Sequence, residues 1–329
     1  MQSSPYIAID RNAGESHGGN IIFALSVSII LFALMSYYFN YEYRPDEIKA
    51  LPYFFEFFGS DYGYDELYIR VILYIFNIGL TFSLFLMGWI DRKTLTLALI
   101  WPLTIFLFSK IYWEFYVFPF ALIRIDGDKK LDFAVLITLS VLYLLFQEGN
   151  IVLMIAFRLV ILGQKFGYKY LSPIAFALFG VLAGIAVELG IFSSLPLVGQ
   201  QIARFSWTRD VANPDYSLIE SITVFFTSFH FFTQHYLLWW IDFVFSILVS
   251  LYIMIFCLSK KSIRENMPQI LAFIAVFVGF TELTHVFQNA RYYFFFIPVL
   301  SLFINSKDMV PLSLLGILHV TAKGIETGI

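Results

Sequence analysis

The chain has 329 residues, of which 59% are hydrophobic and 14% charged, with a mean hydropathy of +0.77 and a net charge of −3. A soluble domain of this length carries about a quarter charged residues, so the composition indicates a membrane protein. The slightly acidic balance and the lack of a basic stripe exclude a nucleic-acid binder.

The first twenty residues are polar, contain Gly14, Gly18 and Gly19, and carry Arg11 as their one basic residue, so no cleavable signal is expected. The apolar run that follows, 21–40, is long enough to span a bilayer. Hydropathy then predicts spans at about 69–90, 94–109, 110–125, 131–148, 150–163, 171–193, 219–234, 236–258, 268–287, 290–305 and 309–320. The expected fold is all-α, a polytopic integral membrane protein of about 10–12 transmembrane or re-entrant helices, with 1–329 forming one membrane domain.

Basic residues set the expected orientation. Arg11, Arg92, Lys93, Lys129, Lys130, Lys165, Lys169, Lys260, Lys261, Arg264 and Lys307 fall on one side, eleven in all, against five (Arg44, Lys49, Lys110, Arg204, Arg209) on the other. The positive-inside rule places the eleven, and the N-terminus, in the cytoplasm. The alternation closes only if segment 219–234 dips in from the outer side without crossing. Arg70, Arg124, Arg158, Arg291 and Lys323 are left out of this count. Two long outer connections remain, about 41–68 and 194–218, both mixing charges with aromatics.

A charge at the bilayer centre costs ~2.5–3.5 kcal/mol on insertion scales, so each one needs a partner or a task. Arg124 lies at the inner end of its segment beside Asp126 and Asp128, where it can snorkel. Arg158 sits mid-span and either pairs internally or lines a cavity. Glu188 follows Gly180 and Gly184, a small-residue face suited to close helix packing. Glu282, His285 and Asn289 share one helical face, and Arg291 opens the next segment. An imidazole or carboxylate there can take a proton, or the group can simply tie helices together. His230 and His235 are five apart and lack metal-ligand spacing, so no metal site is expected, and no nucleotide-binding glycine pattern is present. Aromatics around them suit sugar stacking or interface anchoring. Arg44, Asp46, Glu47, Asp61, Asp65 and Glu66 form the charged part of the first outer loop.

Three stretches carry a resemblance: Arg44-Pro45-Asp46 through Gly63-Tyr64-Asp65-Glu66-Leu67-Tyr68, then Glu148-Gly149-Asn150 through Arg158, then Arg291-Tyr292-Tyr293. In these, and in its hydropathy layout, the chain resembles the Wzy-type bacterial polysaccharide polymerases, notably the EpsG-like group. Asn150 stands where that group often has an Arg-Gln pair, and Glu188 occupies a span where it has a histidine. The resemblance implies a glycosyltransferase with outer loops like those of the glycosyltransferase C class, in the bacterial inner membrane. It would join oligosaccharide repeat units carried on undecaprenyl pyrophosphate, without metal or other cofactor, at the outer face. Glu282 or His285 would be catalytic as the proton acceptor. Arg158, Arg204, Arg209 and Arg291 would bind pyrophosphate, and Arg44, Asp46, Asp65, Glu188, His230 and His235 would line the substrate path. The partners implied are the lipid-linked oligosaccharide, membrane lipids and a chain-length regulator protein. Other readings of the same charges are a lipid-linked glycan transporter or flippase, another lipid-dependent transferase such as a glycan ligase or acyltransferase, and an assembly subunit whose buried charges are only paired.

Overall fold

The computed structural model describes residues 17–39, 66–109, 116–146, 149–189, 191, 217–231, 239–284 and 290–326. Every regular element among them is helical. In chain order they are α1 (His17–Tyr38), α2 (Glu66–Leu86), α3 (Arg92–Ile100), α4 (Pro102–Ser109), α5 (Phe118–Ala121), α6 (Lys129–Phe146) and α7 (Gly149–Lys165). Then come α8 (Leu171–Glu188), α9 (Leu218–Ser228), α10 (Trp239–Tyr252), α11 (Lys260–Thr284), α12 (Phe296–Ser301) and α13 (Met309–Glu326).

Five of the described segments are long and apolar enough to cross a bilayer: Ile21–Tyr38, Leu67–Leu86, Trp240–Cys257, Lys260–Thr284 and Ser306–Glu326. The chain is thus a multi-pass helical protein. A sixth crossing arises if the bent pair α3 and α4 is one broken span. Residues on α1, α6, α8 and α10, such as Ile29, Ile137, Phe179 and Met254 on the turn after α10, point outward as large exposed apolar side chains, as lipid contact requires.

The bent pair is the centre of the molecule. Asp91 caps α3, its carboxylate accepting from the Thr94 amide at 2.9 Å and the Thr94 hydroxyl at 2.6 Å. The Thr94 and Ser301 hydroxyls meet at 2.8 Å, tying α3 to α12. The helix stops at Trp101, whose backbone is extended, because Pro102 disfavours helical geometry in the residue before it. Pro102 then starts α4 at an angle of 79°. All residues of α4, and α3 from Thr94 onward, are buried. Beyond the first turn of α3 the pair is buried on every side because protein surrounds it.

Segment 219–234 was expected to dip in without crossing, and its described part is the eleven-residue α9. Ser217 caps it through the Glu220 amide. Its far end turns at Phe229–Phe231 against the break in α3–α4. The Trp101 indole donates to the Phe229 carbonyl at 2.8 Å, and the Leu103 amide donates to the His230 carbonyl at 3.0 Å. Leu103 is in the first turn of α4, where amides lack helical acceptors. A third interrupted stretch, Ala290–Phe295, joins the same place: the Ala290 amide donates to the Ser228 hydroxyl at 2.8 Å. Non-helical backbone is tolerated at membrane depth only where protein or a cavity covers its polar groups, and here each stretch supplies partners for another.

Two expected spans therefore take a different form. Segment 290–305 is a turn plus the six-residue α12, and the described part of 110–125 contains only the four-residue α5. Both are enclosed by neighbouring helices, which makes their composition lipid-like without making them long.

Helices α8 and α11 pack side by side in the same direction. Phe176 and Gly180 meet Gly279, and Gly184 meets the Glu282 backbone. A Cβ on Gly180 would overlap the Gly279 backbone, so the small-residue face read from the sequence is what lets the helices touch. Because both follow basic loops, their far ends, Glu188 and Thr284, lie together away from those loops.

Candidate functional site

Arg44, Asp46, Asp65, Arg204, Arg209, His235 and His285 lie outside the described residues, as does the side chain of Glu188. Arg158, His230, Glu282 and Arg291 are described, and the structure assigns them to three separate places.

Arg158 belongs to the basic end. It is 3% exposed, lies 3.4 Å from Asp132, donates to the Arg124 carbonyl at 2.8 Å, and also donates to the Ile123 carbonyl. Lys165 reaches the other Asp132 oxygen at 2.5 Å. The Arg124 amide in turn donates to the Trp89 carbonyl at 2.9 Å, joining this cluster to the loop before Arg92. Two guanidinium nitrogens are thus engaged by protein groups from α6 and the stretch before it. The Arg158 side chain is paired internally at the basic end.

Arg291 stands on the interrupted stretch Ala290–Phe295. Its guanidinium lies 4.6 Å from the centre of the Tyr292 ring and donates to the Tyr292 hydroxyl at 2.6 Å. Tyr293 beside it is fully buried against Phe277 of α11, with ring centres 4.7 Å apart. Arg291 itself is partly exposed and follows Ala290, whose amide ties this stretch to Ser228 at the end of α9. Glu282 is partly exposed near the end of α11, about one and a half turns beyond the level of Phe277.

His230 anchors a third constellation that was not expected. Its Nδ1 lies 2.9 Å from Nδ1 of His319. Nε2 of His319 lies 2.9 Å from one oxygen of Asp242, and Lys323 Nζ donates to the other. The four residues are 0–2% exposed. Aromatic rings wall them in: Phe245 stacks on His319 at 4.6 Å, Trp101 sits edge-on to His230 at 5.0 Å, and Phe231 faces the Lys323 ammonium at 5.5 Å. His319 and Lys323 are one turn apart in the same helix, Asp242 is in the first turn of α10, and His230 follows α9. Compared with known proteins, the chain matches no family model, no curated protein and no solved structure.

For two neutral imidazoles the direction of each contact follows from counting protons. The Asp242 carboxylate only accepts, so His319 presents Nε2–H to it. A neutral His319 then has a bare Nδ1, which accepts from the Nδ1–H of His230. His230 is left with a bare Nε2, buried and without a hydrogen-bond partner among the described residues. The arrangement holds a neutral imidazole as a base and places a carboxylate where it stabilises added positive charge. Among the described residues no group of His, Cys, Asp or Glu is placed to hold a metal ion.

Asp132, Asp242, His319 and Lys323 are residues that sequence reading passed over. The signal was present in part. Lys323 and His319 lie within an apolar segment, and the insertion cost of each asks for a partner. That partner, Asp242, lies 77 and 81 residues away, so no local spacing announces it.

Proposed function

We propose that the chain is a Wzy-type polymerase that joins lipid-linked oligosaccharide repeat units, with its basic loops in the cytoplasm of a bacterial cell and its reaction at the opposite face of the inner membrane. The observation that carries the reading is Arg291: a partly exposed guanidinium on interrupted backbone, in an otherwise aromatic interior. Guanidinium matches phosphate oxygens in geometry and stays charged, and a low-dielectric setting strengthens its hold on a pyrophosphate leaving group. The parallel packing of α8 and α11 brings the carboxylate-bearing ends of both helices to the face away from the basic loops. Glu282 there is the group proposed to take the acceptor hydroxyl proton. The transfer forms a new glycosidic C–O bond as the bond to pyrophosphate breaks, and the bonding pair leaves with the phosphate.

The test is made in cells that produce the polysaccharide. Loss of the chain should leave a lipid carrier bearing one repeat unit, and Arg291→Ala should reproduce that accumulation, with Arg291→Lys less severe. Long polymer from Arg291→Ala, at wild-type protein level in the membrane, would remove Arg291 from the reaction.

A further inference from the structure

We propose that His230, His319, Asp242 and Lys323 form a proton relay that takes up a proton at Nε2 of His230, in the apolar interior, and discharges it toward the face opposite the basic loops. Three independent observations point this way. The contacts run in series through four buried ionisable side chains drawn from three separate stretches. The inner terminus is a buried accepting nitrogen that no group among the described residues engages. The outer terminus leads to the surface: Glu326 follows Lys323 by three residues, on the same helical face, and holds the Trp240 indole at 2.9 Å.

The direction follows from the tautomers. A proton added to Nε2 of His230 makes that ring an imidazolium. Its Nδ1–H can then pass to Nδ1 of His319, and the Nε2–H of His319 can pass to Asp242. At this point the entering proton rests on Asp242 and both rings carry their protons on the opposite nitrogens. It leaves when the Lys323 ammonium gives a proton to the Glu326 carboxylate and the amine so formed takes the proton from Asp242, so that one proton enters, one leaves and no electrons move. Ring rotation or the reverse transfer restores the starting arrangement. The positive charge passes down a path that already holds a carboxylate, while Lys323 keeps Asp242 from retaining the proton.

The other described surroundings of the relay carry no charge. From α1 it is Tyr38, packed against Gly324; from α3 and α4 they are Trp101 and the Leu103 amide that caps the turn; from α10 they are Phe245 and the hydrogen-bonded Trp240. The ionisable groups that face the two imidazoles are therefore Asp242 and Lys323, with Glu326 beyond. Two neutral histidines kept only for packing would need neither the carboxylate nor the ammonium. This inference does not depend on the polymerase reading, although a hydroxyl losing its proton during transfer is one source the relay could drain.

The test uses the full chain in lipid nanodiscs with nitrogen-15-labelled histidine, the His230 and His319 signals being assigned from His230→Gln and His319→Gln. At neutral pH the relay requires Nδ1–H with bare Nε2 on His230 and the reverse on His319. On acidification the two residues should change together, in one shared protonation step. Asp242→Asn should move that step down by about one pH unit or more, because the imidazolium loses its counter-charge, and Lys323→Met should move it up. The opposed shifts establish that both charges face the imidazoles, and the complementary tautomers with one shared step are what a purely structural cluster does not require. The proposal is overturned if both rings carry the proton on the same nitrogen, if they titrate independently, or if neither takes a proton before the fold is lost. Should either variant fail to fold, the wild-type tautomers and the shared step decide the matter alone.

Discussion

Replacing Asp132 by Asn tests how the basic end is held. Asp132 is fully buried and shared by Arg158 and Lys165. Removing one partner of a buried ion pair costs ~3–5 kcal/mol, because the other charge stays buried without compensation. The two cations here are not equivalent. The Lys165 side chain is 21% exposed and can turn to water, whereas that of Arg158 is 4% exposed and cannot. Arg158 keeps its two carbonyl acceptors, which places the loss at the low end, about 3 kcal/mol, or roughly a hundredfold in the unfolding equilibrium. Lys165→Met alone should cost no more than about 1 kcal/mol. Asp132→Asn combined with Arg158→Leu should recover most of the loss, since no uncompensated charge then remains. Detergent-driven unfolding followed by tryptophan fluorescence measures all four proteins. The reasoning fails if Asp132→Asn lies within about 1 kcal/mol of wild type, or if the double variant is weaker than the single one.

Other outcomes follow from the packing. Gly180→Val should force α8 away from α11, because its Cβ would collide with the Gly279 backbone; cysteine pairs across that seam should lose their crosslinking while the other helix pairs keep theirs. Trp101→Phe should cost about 1–3 kcal/mol, since the ring is retained but the buried Phe229 carbonyl loses its indole donor. For orientation, single cysteines at Lys261 and Ser217, introduced with Cys257→Ala, should label from opposite sides of intact cells, Ser217 from outside; the reverse result would invert the proposed topology.

Long apolar helices were legible because hydropathy measures what they need. The expected 21–40, 69–90 and 236–258 correspond to Ile21–Tyr38, Leu67–Leu86 and Trp240–Cys257. The segment expected at 268–287 starts earlier, at Lys260, because its polar first two turns are helical without being apolar. The failures at 110–125 and 290–305 share one cause. A segment surrounded by protein has the same composition as one surrounded by lipid, so hydropathy cannot separate the six-residue α12 from a span. Close packing of α8 was readable from Gly180 and Gly184, since a glycine pair one turn apart has a local signature. The relay was not readable, because its coupling joins His230, Asp242 and His319 across distant segments, and Arg158 found its carboxylate in the neighbouring helix for the same reason.

The proposed activity is tested most directly by incubating the purified full-length chain in lipid vesicles with the pyrophosphate-linked repeat unit isolated from its own host. The account predicts a ladder of products spaced by one repeat, formed by the wild-type chain and lost in Arg291→Ala. A folded wild-type chain that leaves an intact, competent substrate unextended would contradict it.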